Sequence, residues 1–391
     1  MSSPERFRQE ARAWLDANCP PEMRQPVRSK DDVVLGGRRA VYKDPVQKLW
    51  LDRMAEKGWT APDLPESYGG GGLSPEEAKI LQSEMGRLGC RNPLSSFGLS
   101  TLGPTLLKYG TEDQKREHLP KMARGEIFWC QGYSEPSAGS DLASLATRAE
   151  DRGDHFLVNG QKIWTSDADK ADWIFCLVRT DVSSKHNGIS FLLFDMETPG
   201  VSIKPIKLIS GYSPFCETFF DNVKVPKKNL VGELNKGWDI AKYLLSHERE
   251  SLSDLSGGQP SLGEIAKRAV GTEVDGRLDN PVLRARIALF EVRVLAFRAM
   301  SERFIDELKH ERARPDQASV MKYLGTELNK QRHELMMDAE GSDALEWESE
   351  RSRGGANARA WLRTKANSIE GGTSEVQLNI IAKRILQLPG A

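Results

Sequence analysis

The sequence predicts an α+β protein in which a β-rich middle interrupts two helical parts. Three observations lead there. Residues 1 to about 125 carry apolar residues at helical spacing, as in Phe7, Ala11, Trp14 and Leu15. Near residue 127 the period changes to short runs rich in β-branched and aromatic residues. From Gly237 onward the three- and four-residue spacing returns, most clearly between Val282 and Glu307. These changes divide the 391 residues into 1–125, 126–235 and 236–391, a length that allows two or three domains with substantial cores.

The elements follow in order. Ser3 as N-cap and Pro4 at the first helical position open the first helix. Ser74-Pro75-Glu76-Glu77 and Thr111-Glu112-Asp113-Gln114 are capping boxes, and turns fall at Pro62–Pro65 and Gly69–Gly72. Asp172–Val178 and Ile189–Phe194 read as buried strands, Asn159-Gly160 as a hairpin turn, and Phe219–Pro226 as the last strand of the unit. Glu346–Asn357 is a polar interruption in the C-terminal part. The last helix starts after Gly371-Gly372-Thr373, with Val376 and Ile380, then Ile381 and Ile385, paired four residues apart.

Composition excludes several classes. A net charge of −1 gives no electrostatic reason to expect nucleic acid or an anionic membrane surface. No apolar run reaches the roughly 18 residues that span a bilayer, and Met1–Phe7 lacks the apolar core of a signal peptide. Cys19, Cys90, Cys130, Cys176 and Cys216 are odd in number and scattered, without a CxxC pair. The six histidines show no zinc-ligand spacing. These readings point to buried or idle thiols, no metal, and a cytoplasmic location.

Two blocks carry the chemistry. The first is Trp129-Cys130-Gln131-Gly132-Tyr133-Ser134-Glu135-Pro136-Ser137-Ala138-Gly139-Ser140-Asp141. The second is Asn159-Gly160-Gln161-Lys162-Ile163-Trp164-Thr165-Ser166. No GxGxxG follows a strand and no GxxxxGK[ST] is present, so neither a Rossmann nor a P-loop site is supported. In order, spacing and the Trp-Thr-Ser ending, the two blocks resemble the flavin-contacting face of the acyl-CoA dehydrogenase family. Pro65–Gly70, Val231–Trp238 and the C-terminal Ile369–Glu375 extend the resemblance over nearly the whole chain. It implies an N-terminal helical domain, a middle β-domain and a C-terminal four-helix bundle.

The resemblance also implies FAD as cofactor. Trp164 would wall the isoalloxazine ring by offset stacking. Tyr133, Ser134, Thr165 and Ser166 would lie along the ring edge, Ser166 near N5, the hydride acceptor. Ser140 would meet the pyrophosphate or the acyl-CoA, Arg249 the substrate, and Thr373 and Glu375 the ribityl or adenosine part. The thioester carbonyl would be polarised by the backbone N–H of Gly371 and a ribityl hydroxyl.

The family places its base either just before the Gly-Thr of the C-terminal loop or on a helix at the start of a Glu-Arg pair. Gly371 occupies the first position here. The second is filled by Glu248 of Leu245-Ser246-His247-Glu248-Arg249, with Glu370 as runner-up. On residue chemistry alone, Glu248-Arg249-Glu250 equally suits an exposed helix face.

Two family features are missing. Glu273–Arg277 lacks an Arg-x-x-Phe-Gly element, and Asp338–Asp343 lacks a Phe-Gly-Gly loop. Both reach a partner's FAD in many members. The expected assembly is therefore a homo-oligomer (dimer or tetramer) or a hetero-oligomer with a paralogous subunit. Three functions follow: a dehydrogenase passing electrons to electron-transfer flavoprotein, a half-site or non-catalytic subunit, and an oxygen-using oxidase or monooxygenase. The helix-borne glutamate leans toward acyl groups other than short straight ones.

Overall fold

The computed structural model describes residues 3–27, 29–252, 261–309, 312, 314 and 316–389. Among the described residues five α-helices come first: α1 (Ser3–Asn18), α2 (Pro45–Glu56), α3 (Pro75–Leu88), α4 (Gly103–Tyr109) and α5 (Glu112–Ala123). Eight strands follow: β1 (Trp129–Gly132), β2 (Arg148–Asp151), β3 (His155–Ser166), β4 (Trp173–Arg179), β5 (Ile189–Asp195), β6 (Val201–Ile206), β7 (Phe215–Pro226) and β8 (Leu230–Val231). The C-terminal helices are α6 (Gly237–Leu252), α7 (Leu262–Val270), α8 (Pro281–Lys309), α9 (Gln317–Glu340), α10 (Ala356–Thr364) and α11 (Ser374–Ile380). This is the expected α+β order of helices, sheet and helices. The described chain forms two compact units, one of residues 1–206 and 214–244, the other of 207–213 and 245–391.

In the first unit, both sequence-read capping boxes form. The Ser74 and Thr111 side chains accept from the N–H groups of Glu77 and Gln114, and both reciprocal bonds close. The Ser3 side chain lies outside the described residues. Leu15, Cys19, Met23, Trp50, Met54 and Leu81 make the helical core. Arg8, Arg12 and Arg87 converge on the buried Glu84. Arg12 above all, against the effect of burial, holds that carboxyl at about 2.

The strands form one sheet in the order β6-β7-β3-β2-β4-β5-β8, with β1 added parallel to β4. Its core contains Phe156, Val158, Ile174, Val178, Leu192, Phe194 and Phe220. Asp172, fully buried, accepts from the Phe128 and Arg38 N–H groups at 2.9 Å and ties the edge of β4 to the preceding segments.

Two strand readings need correction. Asn159-Gly160 is not a hairpin turn, because β3 runs through it without reversing. Gly160 instead marks a bulge against β7, and a Cβ there would sit 2.6 Å from Thr147 Oγ1. The true reversal into β3 lies at Arg152–Asp154, where Gly153 takes φ +89°. Phe219–Pro226 is also not the last strand. It is the end of the longer β7, and β8 follows it to pair with β5.

In the second unit, α7, α8 and α9 enclose Leu262, Ile287, Phe290, Phe297, Met321, Leu328 and Leu335. Thr373 caps α11 by accepting from the Val376 N–H at 3.2 Å, where the sequence placed the helix start. Among the described residues no helix is long and apolar enough to cross a membrane, and no cluster of metal-ligand side chains occurs.

Candidate active site

The site residues fall on two frameworks, one in each unit. The first is built at the end of β3. The β3–β7 register slips between Lys162 and Thr165, and Trp164 sits in that bulge at φ +61°. A bulky residue in this left-handed region is strained. Trp164 is nonetheless 52% exposed, and its ring stands at right angles to Phe215 at 6.1 Å. A strained, half-exposed indole at a strand end is poor economy for stability and good presentation for a ligand.

The strand alternation then separates neighbours. Ser166 is exposed with Trp164, whereas Thr165 turns into the sheet and is fully buried. The Thr165 Oγ1 has no hydrogen-bond partner among the described residues. A contact from Thr165 to a ligand on the Trp164 face would have to come from its backbone.

Ser134 is brought beside this bulge by the backbone bond from the Ile163 N–H to the Ser134 carbonyl, 2.9 Å. Tyr133 is buried just behind, its ring edge-on to Phe175 at 6.0 Å. Ser140 lies farther along the same loop and is exposed.

What fixes this loop is a pair that spacing alone did not single out. Lys162 and Glu135, both buried, form an ion pair of 2.7 Å. Lys162 Nζ also donates to the Tyr133 carbonyl at 3.1 Å, and Glu135 accepts from the Ala146 and Thr147 N–H groups at 2.6 and 2.9 Å. Burial pushes the Glu135 carboxyl up, but Lys162 and these hydrogen bonds together hold it below its ordinary value. The signal was present in the sequence, since Glu135 and Lys162 stand inside the two quoted blocks. Their partnership across the loop was not.

The second framework is the turn before α11. Gly371 and Gly372 take φ +64° and +87°, and a Cβ on Gly372 would fall 2.5 Å from Gln377 Nε2. Glycine is therefore required there. The Gly371 and Gly372 N–H groups donate to no acceptor among the described residues. Thr373 is occupied as the α11 cap, and Glu375 is exposed in the first turn. Glu370 is taken up by Arg363, with Nη2 to Oε2 at 2.7 Å, and by the Asn367 amide. Glu248 and Arg249 belong to the helix α6, but their side chains lie outside the described residues.

Residues 2–126, 130–223 and 235–386 match, in turn, the acyl-CoA dehydrogenase N-terminal, middle and C-terminal domains. The chain belongs to the acyl-CoA dehydrogenase family. "Acyl-CoA dehydrogenase IpdE1" of Mycobacterium tuberculosis (strain ATCC 25618 / H37Rv) is 35% identical over 406 residues, covering 100% of this chain and 99% of that protein. Two solved structures align over the full chain. The "Tcur3481-Tcur3483 steroid ACAD" has a TM-score of 0.79 at 31% identity, covering 98% of that chain. The ChsE4-ChsE5 complex from Mycobacterium tuberculosis has a TM-score of 0.76 at 30% identity, covering 99%.

The family is one of FAD-dependent oxidoreductases, and this chain is an acyl-CoA dehydrogenase by that membership. The residues on the first framework fit such a group. A flat ring with apolar faces and one polar edge needs an open aromatic wall with hydroxyl groups beside it. Trp164, Ser166 and Ser134 supply that donor set on one strand end.

Proposed function

We propose that this chain oxidises an acyl-CoA thioester to the trans-2-enoyl-CoA and passes the electrons to electron-transfer flavoprotein. The observation that carries the reading is the strained, half-exposed Trp164 at the end of β3, next to exposed Ser166 and close to Ser134. FAD, when bound, supplies the hydride acceptor for the substrate Cβ. Trp164 walls it, Ser134, Ser166, Tyr133 and the Thr165 backbone meet the ring edge, and Thr373 and Glu375 hold its outer part.

Glu248 takes the proton from Cα. Gly371 leaves the loop position without a carboxylate, and Glu370 beside it is engaged by Arg363. The Gly371 N–H donates to the thioester carbonyl, where negative charge gathers as the α-proton leaves. Ser140 and Arg249 bind the acyl-CoA. The domain limits at 126 and 236 and a cytoplasmic place of work, where free cysteines persist as thiols, belong to the same reading.

A specific observation favours a shared assembly. Two solved relatives, Tcur3481-Tcur3483 and the ChsE4-ChsE5 complex, carry paired names, and this sequence lacks both elements by which many members reach a partner's FAD. A hetero-oligomer with a paralogous subunit follows, and the likeness to the Tcur3481-Tcur3483 steroid ACAD turns the substrate toward bulky, steroid-like acyl groups.

The test is an anaerobic bleaching screen of the yellow enzyme, alone and co-expressed with a paralogous subunit, from short linear to steroid-like acyl-CoA thioesters. Glu248→Gln is expected to keep FAD and lose turnover by at least ~10²-fold. Turnover at the parent rate in that variant refutes the base. Peroxide release matching turnover would replace electron-transfer flavoprotein by oxygen. A chain that stays colourless with and without a partner would refute the cofactor site.

A further inference from the structure

We infer that Lys162 is a positioning residue for the cofactor: by holding the Tyr133 carbonyl it orients and polarises the Ser134 N–H, which donates to the polar edge of the flavin and raises its reduction potential. The inference rests on the reading above that sets the ring against Trp164 with Ser134 at its edge.

One rigid peptide plane carries both the Tyr133 carbonyl and the Ser134 N–H. That peptide is trans, so the two groups point in opposite directions. Lys162 Nζ donates to the carbonyl at 3.1 Å. The Ser134 N–H therefore points away from the buried ammonium, and it donates to no acceptor among the described residues. The plane on the other side of Ser134 is held as well. Its carbonyl, that of Ser134, accepts from the Ile163 N–H at 2.9 Å, and its N–H, that of Glu135, donates to the Ala138 carbonyl at 3.0 Å. With a plane held on each side of its Cα, Ser134 keeps little freedom in φ or ψ. Lys162 and Ile163 directly precede Trp164 on β3, so one strand end both presents the wall and aims the donor beside it.

Stability alone does not explain this lysine. Lys162 is 0% exposed, and a buried ion pair contributes little beyond apolar packing of similar volume. An apolar side chain cannot, however, bond a carbonyl. A cation on the carbonyl oxygen draws electron density out of the amide and makes the opposite N–H a stronger donor. Glu135, paired with Lys162 at 2.7 Å, offsets most of the pair's field at longer range. The pair thus acts on a ligand through the Tyr133–Ser134 peptide rather than through net charge. Reduction adds negative charge along a flavin's polar edge, and a donor fixed there favours the reduced form.

The experiment uses the FAD-loaded enzyme with its subunit partner and needs no acyl-CoA. Lys162→Met with Glu135→Gln removes the pair at unchanged net charge. Glu135→Gln alone keeps the lysine on the Tyr133 carbonyl. Three quantities are read: FAD affinity, the two-electron potential against a reference dye, and the flavin carbonyl stretches by difference infrared spectroscopy. In the double variant, reduced FAD is expected to lose ~10-fold more affinity than oxidised FAD, which lowers the potential by about 30 mV. One flavin carbonyl stretch should move toward its free value. Glu135→Gln alone should leave the potential no lower than the parent's. A brace with no part in aiming the donor would lower the melting temperature but leave potential and stretch at parent values, and that overturns the inference. An equal fall in both variants overturns it too, because Lys162 is present in one of them. If the double variant does not fold, Ser134→Pro against Ser134→Ala decides, since only the proline deletes the N–H, and equal potentials in the two refute the inference. A yellow parent matched by its variants sinks this inference alone. A parent that stays colourless sinks the cofactor-site reading and this inference with it.

Discussion

Trp164 is held against its local backbone preference. Holding a tryptophan at φ +61° costs on the order of 1–3 kcal/mol, and its half-exposed side chain recovers little of that by burial. Trp164→Gly removes the strain at a residue that is half exposed and whose ring stands at right angles to Phe215. The apoprotein should therefore melt no lower than the parent, within about 2 °C. FAD should bind at least ~10-fold more weakly for want of the stacking wall. Calorimetry of the apoprotein and a fluorescence titration with FAD check the two halves separately. The block in which Trp164 stands was legible in the sequence, whereas its strain appears only with the bulge that the β7 register imposes.

At the scale of the element, β3 and the loop facing it are one unit joined by Glu135 and Lys162. Lys162→Met leaves a buried carboxylate without its cation, which costs about 3–5 kcal/mol. Adding Glu135→Gln removes the stranded charge, and its one amide oxygen keeps one of the two N–H donors, Ala146 and Thr147, that the two carboxylate oxygens accept from. The double variant should regain part of the loss. Thermal unfolding of the two singles and the double, read as a mutant cycle, checks this, and additive losses would mean that the pair is not coupled. The sequence misread β3 at Asn159-Gly160 for a related reason. The glycine makes room for Thr147 rather than reversing the chain, and nothing in a local window distinguishes the two uses.

Across the first unit as a whole, stability depends on pH through His118. This α5 histidine is 2% exposed, wedged edge-on against Trp129 at 5.1 Å and Trp173 at 5.0 Å, with Nδ1 unpaired among the described residues. Burial lowers it to about 4 from an ordinary 6.5. Between those values the unfolded chain takes up a proton that the native state refuses. Stability therefore falls as pH drops from about 6.5 to about 4, by roughly 3 kcal/mol. Below pH 4 both states are protonated and this contribution stays constant. Melting temperature against pH should show the slope in the parent and a flatter line in His118→Phe. An unchanged slope in the variant would assign the effect to other groups.

The sequence by itself determined the order of helices, strands and helices, the capping boxes at Ser74 and Thr111, the start of α11 and the family. Each of these is written in short-range periodicity or in a contiguous motif. Only the tertiary structure decided that Thr165 faces inward while Trp164 and Ser166 face out, that Glu135 finds Lys162, that Arg363 occupies Glu370, and that Lys322 reaches 50 residues along the chain to the Gly372 carbonyl. Those choices depend on which backbone groups lie opposite one another once strands and helices have packed. Residue type records what a side chain can bond, and only the fold selects the partner.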